Sequence, residues 1–254
     1  MRFVRNICSS GLRLAKEPVS VSKNYLGRPS NNLSSGLVGL ANVGKSTFFQ
    51  AITNSTLGNP ANYPFATIEP EKSLIVVKLK ILDHYQKIFK SEKAIPSTHT
   101  LYDIAGLTRN ASSGEGLGNK FLADIRQVDG IFQVVRGFRD DDIIHIEENK
   151  VDPVRDLSIV NDELILKDLE FIEIGLTRVE KLLKRPTPGT NKQLLNLELE
   201  TLNKIQDMLY EGCKISNHEW TDEEIEIINS HNFLTAKPTV YLLNVNEHDY
   251  GHQT

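Results

Sequence analysis

Eight residues, Gly39-Leu-Ala-Asn-Val-Gly44-Lys45-Ser46, fit the pattern G-x-x-x-x-G-K-[ST], and Thr47 follows. That spacing suits one kind of chemistry, the gripping of a phosphate chain. Glycines let successive backbone N–H groups curl inward around an anion, so Gly39, Asn42, Val43 and Gly44 are candidate cradle residues. A helix starting near Lys45 would add its N-terminal dipole, with Thr47 in the first turn. Lys45 would set a point charge on the β- and γ-phosphates, and Ser46 would offer a hydroxyl to Mg²⁺. The bland alternative is a glycine turn with an incidental lysine. A strand before and a helix after argue against it.

Further along, Asp103 ends an apolar run and is followed by Ile-Ala-Gly106. A carboxylate there can hold Mg²⁺, and the Gly106 N–H can meet a γ-phosphate. Position 107 is leucine, whose side chain cannot orient water. Thr67 lies in a loop rich in proline and asparagine, residues 62–70. Its hydroxyl suits a second magnesium contact, though a threonine in such a loop is ordinarily just a loop threonine. Asn244-Val245-Asn-Glu247 follows the last apolar run. An N-K-x-D motif at that place reads guanine through the aspartate, which accepts from N1–H and the exocyclic amine. Here Val245 replaces the lysine, and the longer Glu247 displaces the carboxylate. Adenine lacks that donor pair, so the case for guanine is weakened.

Something must hold these groups together. Short apolar runs at Leu37-Val38, 74–79, 98–104, 131–135 and 239–243 read as strands, and 82–90 and 121–127 as helices between them. Strands alternating with helices predict an α/β fold with a mostly parallel sheet covered on both faces. Between residues 152 and 230 the pattern changes. Ile165, Leu169, Ile172, Leu176, Val179 and Leu183 recur at coiled-coil spacing, and Leu195, Leu199, Leu202, Ile205 and Leu209 resume it after Arg185-Pro-Thr-Pro-Gly-Thr190. Two helices joined by so tight a break pack antiparallel. They form either a projecting arm of roughly 40 Å or an ordinary pair folded onto the core. Thr221-Asp-Glu-Glu224 is a capping-box start for one more helix.

Composition narrows the class. With 254 residues, 39% hydrophobic and 24% charged, the chain is that of an ordinary globule. No apolar run reaches the ~18 residues of a membrane span. Cys8 and Cys213 are too few for a disulfide scaffold. The net charge of −4 hides a split: residues 1–33 hold six basic groups and one acid, and residues 34–254 hold 23 basic and 32 acidic. A basic footprint for nucleic acid is absent from the body. The cationic segment, with Phe3, Val4, Ile7, Leu12 and Leu14 among its arginines, reads as a mitochondrial transit peptide. The other reading is a basic tail on a cytoplasmic protein.

Taken together, the motifs resemble the YchF / Obg-like ATPase family of P-loop NTPases. The resemblance rests on 39–47, 62–70, 103–107, Ser113-Gly-Glu-Gly-Leu-Gly-Asn-Lys-Phe-Leu122, Asp140-Asp-Asp-Ile-Ile-His145, 150–157, Leu234-Thr-Ala-Lys-Pro238 and 244–247. It implies an Obg-type G domain over 34–151 and 231–254, interrupted by a helical arm over 152–230. It further implies Mg²⁺-dependent ATP binding and hydrolysis in preference to GTP, and a switch that associates with ribosomes. Site roles carried over are Lys45 with the phosphates, Ser46, Thr67 and Asp103 with the metal, and Asn244, Val245 and Glu247 with the base. His145 matches a catalytic helper in the family, although the residues alone make it a structural histidine. Asn42 matches an asparagine that holds a monovalent cation such as K⁺ in related NTPases. Ala41 stands where the family has proline, and Asn110 where glycine is usual. Family members continue past the base motif with a further strand and helix and a TGS domain, so the resemblance implies a C-terminally truncated chain. The competing functions are a GTP-preferring enzyme and a binding module with little catalysis.

Overall fold

The computed structural model describes residues 25–27, 33–53, 71–77, 79–106, 117–140, 143, 150–186 and 191–252. Five strands form one sheet: β1 (Ser34–Val38), β2 (Glu71–Val76), β3 (Thr98–Asp103), β4 (Gly130–Arg136) and β5 (Thr239–Asn244), in the order β2-β3-β1-β4-β5. All neighbours are parallel except β2, which runs antiparallel to β3 at the edge. The central strands β1 and β4 are buried almost throughout, whereas β2 and β5 leave Leu74, Val76, Val240 and Leu243 exposed. The expected cover on both faces therefore holds at the centre of the sheet and lapses at its edges. Edge strands pack against fewer helices, so alternate side chains stay in water.

Strand β1 opens on the polar run Ser34-Ser35-Gly36 and is secured by distant contacts. Ser34 donates from its backbone N–H and its hydroxyl to one carboxylate oxygen of Asp129, at 2.8 and 2.7 Å. At Gly36 a Cβ would lie 2.5 Å from Ile104 Cδ1, so a larger residue there would make the Ile104 side chain shift. Helix α1 (Lys45–Thr53) packs on β1, β2 and β3, and α3 (Leu117–Gln127) on β1. Between β2 and β3, α2 (Lys80–Phe89) lies outside the core with no buried residue.

Helix α4 (Pro153–Lys184) starts under sequence control: Asp152 accepts from Arg155 N–H at 3.1 Å, and Pro153 sits in the first turn. Its first part belongs to the sheet, because Ile159, Val160 and Leu164 join the core of Leu37, Phe49, Leu101 and Ile125. From Ile165 onward it belongs to a second core shared with α5 (Lys192–Tyr210) and α6 (Asp222–His231). Ile165, Ile172 and Val179 are buried against Leu195, Leu202, Ile205 and Leu209, while Leu169, Leu176, Leu183 and Leu199 are half-buried. Fully burying one such side chain contributes about 1.5–3 kcal/mol. The two expected arrangements thus merge: the arm is an antiparallel helix pair, and its first helix is rooted in the sheet.

The other helix signals hold. Asn191 caps α5 by accepting from the N–H groups of Gln193 and Leu194. Thr221 and Glu224 form the reciprocal capping box of α6. Upstream of the sheet, Tyr25–Gly27 is tied to α6, since Asn229 donates to Tyr25 O and accepts from Gly27 N–H, both at 2.9 Å. No helix among the described residues is long and apolar enough to cross a membrane.

Candidate functional site: a phosphate loop at the carboxyl edge of the sheet

The register of the sheet builds the site. Leu37 pairs with Asp103 on one side and Phe132 on the other, and Arg136 pairs with Asn244. The carboxyl ends of β1, β3, β4 and β5 therefore meet along one edge, where an open α/β sheet binds its ligand. The loop 39–44 leaves β1 at that edge and feeds α1, which starts at Lys45 as its sequence required.

Within the loop, three backbone positions carry the shape. Asn42 has φ +61° and Gly44 φ +98°. Asparagine is among the few non-glycine residues that occupy the left-handed region readily. Gly39 lies so close to β4 that a Cβ would stand 2.3 Å from Val134 O. At Gly44 a Cβ would stand 2.3 Å from Asn244 Nδ2. A different side chain at either position would displace a strand or the asparagine.

Lys45 is buried, and its Nζ donates to Leu40 O at 2.7 Å and Gly39 O at 3.2 Å. Burial lowers its pKa to about 8, with the Asp103 charge opposing the shift. The ammonium thus folds back onto the loop's own carbonyls, within the cradle that would receive a phosphate chain. Asp103 is buried beside it, held by a hydrogen bond from Ser46, and burial raises its pKa despite that bond and the Lys45 charge. Its Oδ1 is buried with no hydrogen-bond partner. An orphaned carboxylate oxygen next to a serine hydroxyl is the donor set of a hard divalent cation, so Ser46 and Asp103 fit Mg²⁺. Gly106 approaches the loop so closely that a Cβ would be 2.8 Å from Ala41 Cα. The small residue at position 41 and the glycine at 106 are thus two halves of one contact.

At the far end, Asn244 donates from Nδ2 to Val43 O at 3.0 Å, and its own carbonyl accepts from Gly137 N–H at 2.8 Å. Val245 is half-buried against Gly137. Glu247 opens the short helix α7 (Glu247–His252) and is exposed. Thr47 is exposed at the start of α1. Thr67, Leu107, Asn110 and His145 lie outside the described residues.

Two residues that matter here carried no motif. Arg136, buried at the end of β4, donates to Phe138 O (3.2 Å), Asp140 O (3.0 Å) and Ile143 O (3.1 Å), and lies over the Phe138 ring. It fixes the start of the segment that leads to His145. A charge closing a strand that is apolar but for Gln133 was the signal in the sequence. Asp168 sits in α4 with no exposed surface; its neighbours in sequence give no sign of its partners.

A glycine loop between a parallel strand and a helix, with a buried lysine, a serine and a strand-end aspartate at its mouth, defines a nucleoside-triphosphate-binding P-loop domain. A family described as "50S ribosome-binding GTPase" matches residues 34–169. The chain is 57% identical over 231 residues to the "Obg-like ATPase homolog" of Saccharomyces cerevisiae, covering 90% of this chain and 57% of that protein. It is 53% identical to "Obg-like ATPase 1" of the same yeast, covering 92% of this chain and 60% of that one. Among solved structures, the Schizosaccharomyces pombe YchF GTPase superposes with a TM-score of 0.69 at 48% identity, over 91% of this chain and 61% of that one. The chain belongs to the Obg-like ATPase (YchF) family of P-loop GTPase-fold proteins. It spans about three fifths of the length of these relatives.

Proposed function

We propose that the chain binds and hydrolyses ATP with Mg²⁺ and works as a nucleotide-dependent switch on ribosomes. The observation that carries this is the cluster of Lys45, Ser46 and Asp103, three buried or half-buried polar groups converging on the glycine loop. Lys45 would leave the Gly39 and Leu40 carbonyls for the β- and γ-phosphates. Ser46 and Asp103 would hold Mg²⁺, which supplies charge neutralisation at the phosphates when bound. Gly106, packed on Ala41, would offer its N–H to the γ-phosphate.

ATP is favoured over GTP because Val245 and the exposed Glu247 stand where a guanine site needs lysine and a shorter carboxylate. The names of the yeast relatives accord with ATP, and that of the fission yeast structure with GTP. A ribosomal partner is supported by the description of the matching family. Asn42 is proposed for a monovalent cation such as K⁺, and His145 as the helper that replaces a water-orienting glutamine. Titrating the full chain with labelled ATP and GTP, with and without Mg²⁺, tests the reading. Absence of Mg²⁺-dependent binding of either nucleotide overturns it.

Mitochondrial import is proposed for the cationic N-terminal segment. Because Tyr25–Gly27 is hydrogen-bonded to Asn229, the importing portion would lie upstream of Tyr25. A reporter fused to residues 1–24 should reach mitochondria; a reporter that stays in the cytosol favours the cytoplasmic alternative.

A further inference from the structure

The carboxylate of Asp168 is fully buried and satisfied from a single turn. Its Oδ1 accepts from Leu234 N–H at 2.8 Å, and its Oδ2 from Thr235 N–H at 2.8 Å and the Thr235 hydroxyl at 2.7 Å. Burying a carboxylate costs several kcal/mol unless its partners are in place. An apolar residue would suffice here if α4 needed only to pack, as its neighbours Ile165, Leu169 and Ile172 do. A carboxylate does something those cannot: it fixes the position and direction of the two N–H groups it binds.

That turn has a second anchor. The Lys237 ammonium, also buried, donates to Val128 O at 2.6 Å, Asn232 Oδ1 at 2.9 Å and Arg126 O at 3.2 Å. It thereby closes the carboxyl end of α3. Pro238 O then accepts from Ile131 N–H, and β5 runs in register along β4 from Thr239 to Asn244. Asn244 ends on the phosphate loop, at Val43 O. The path from the helical arm to the nucleotide site is short, and its links are hydrogen bonds or strand register.

We propose that Asp168 is a positioning residue for the base end of the nucleotide site. The arm helix sets the turn 234–235, the turn sets β5, and β5 delivers Asn244 and the 244–247 segment to the glycine loop. The arm therefore takes part in base selection, and the inference rests on the phosphate-loop reading above. A role confined to stability would lower the folded fraction and weaken every nucleotide in the same proportion. A positioning role changes the ratio between nucleotides.

The test uses the full chain and the affinities of Mg·ATP and Mg·GTP, measured for wild type, Asp168→Asn, Thr235→Val and Thr235→Ser. Thr235→Val removes only the hydroxyl contact and remains decisive if Asp168→Asn fails to fold. The expected result is a shift of about threefold or more in the ATP:GTP affinity ratio for Thr235→Val, the size of a lost hydrogen bond, with Thr235→Ser close to wild type. A wild type that binds both nucleotides equally, or a Thr235→Val ratio unchanged from wild type, overturns the proposal. A wild type that binds neither nucleotide instead overturns the phosphate-loop reading and removes the premise. A wild type that prefers GTP, with a ratio that still shifts, overturns the ATP preference and leaves the positioning role standing.

Discussion

The two ends of the proposed nucleotide site are built differently. At the phosphate end, Lys45 reaches back five and six residues to Leu40 O and Gly39 O, and Ser46 is its chain neighbour. Asp103 arrives by strand register alone, opposite Leu37. At the base end, Asn244 meets Val43 across 201 residues of chain, and the turn that feeds β5 is held by Asp168 from 66 and 67 residues away. A phosphate chain can be gripped by a contiguous segment, since backbone N–H groups and one lysine suffice. Reading a base requires groups placed from the side, and those come from wherever the chain returns.

Four changes test that contrast, in descending size. Lys45→Ala strikes the phosphate end and should weaken ATP and GTP alike by roughly 100-fold, the upper range for a charge-assisted contact. Equilibrium binding of both nucleotides decides it, and unchanged ATP affinity would remove the lysine from the site. Gly39→Ala should destabilise the fold by about 2 kcal/mol, because the new Cβ would press on the Val134 carbonyl, backbone that has no room to give. Its denaturant midpoint should fall well below that of wild type; an unaltered midpoint would mean that β4 yields freely.

The third change is in pH. Lys45 in the free site has its pKa lowered to about 8, and bound phosphates would raise it again. Binding then takes up a proton increasingly as pH rises past 8, so affinity should fall by about tenfold between pH 7 and 9. Calorimetry in buffers of different ionisation enthalpy reads that uptake directly, and a pH-independent affinity would show that Lys45 keeps its proton throughout. The smallest change is at the base end. Glu247→Asp should move preference toward GTP by a few-fold, muted because Val245 is not lysine. A competition assay that shows no movement would mean that the 247 carboxylate, exposed at the start of α7, does not read the base.

Much of this was legible in the residues. The five apolar runs became five strands, and the glycine loop began its helix at Lys45, as the motif demanded. The seam from Ile165 to Leu209 became the second core, and Thr221 with Glu224 formed the cap they announced. These features depend on neighbours within about a helical turn or on a repeating period, so they are written in contiguous text. The phosphate loop belongs with them, because its glycines, lysine and serine act over eight residues.

Other features had no local signature. The Ser34–Asp129 latch secures a strand that opens on Ser34-Ser35-Gly36, and the antiparallel edge of β2 depended on which neighbour it met. Asp168 reads as one more acid on a charged helix until the fold brings Leu234 and Thr235 to it. Arg136 likewise becomes an anchor only when the segment after β4 turns back over it. A buried charge is tolerable only where its partners converge. Residue type and spacing determined which chemistry this chain can hold; the tertiary structure decided which distant groups satisfy its buried charges, because a hydrogen bond is made in space and not along the chain.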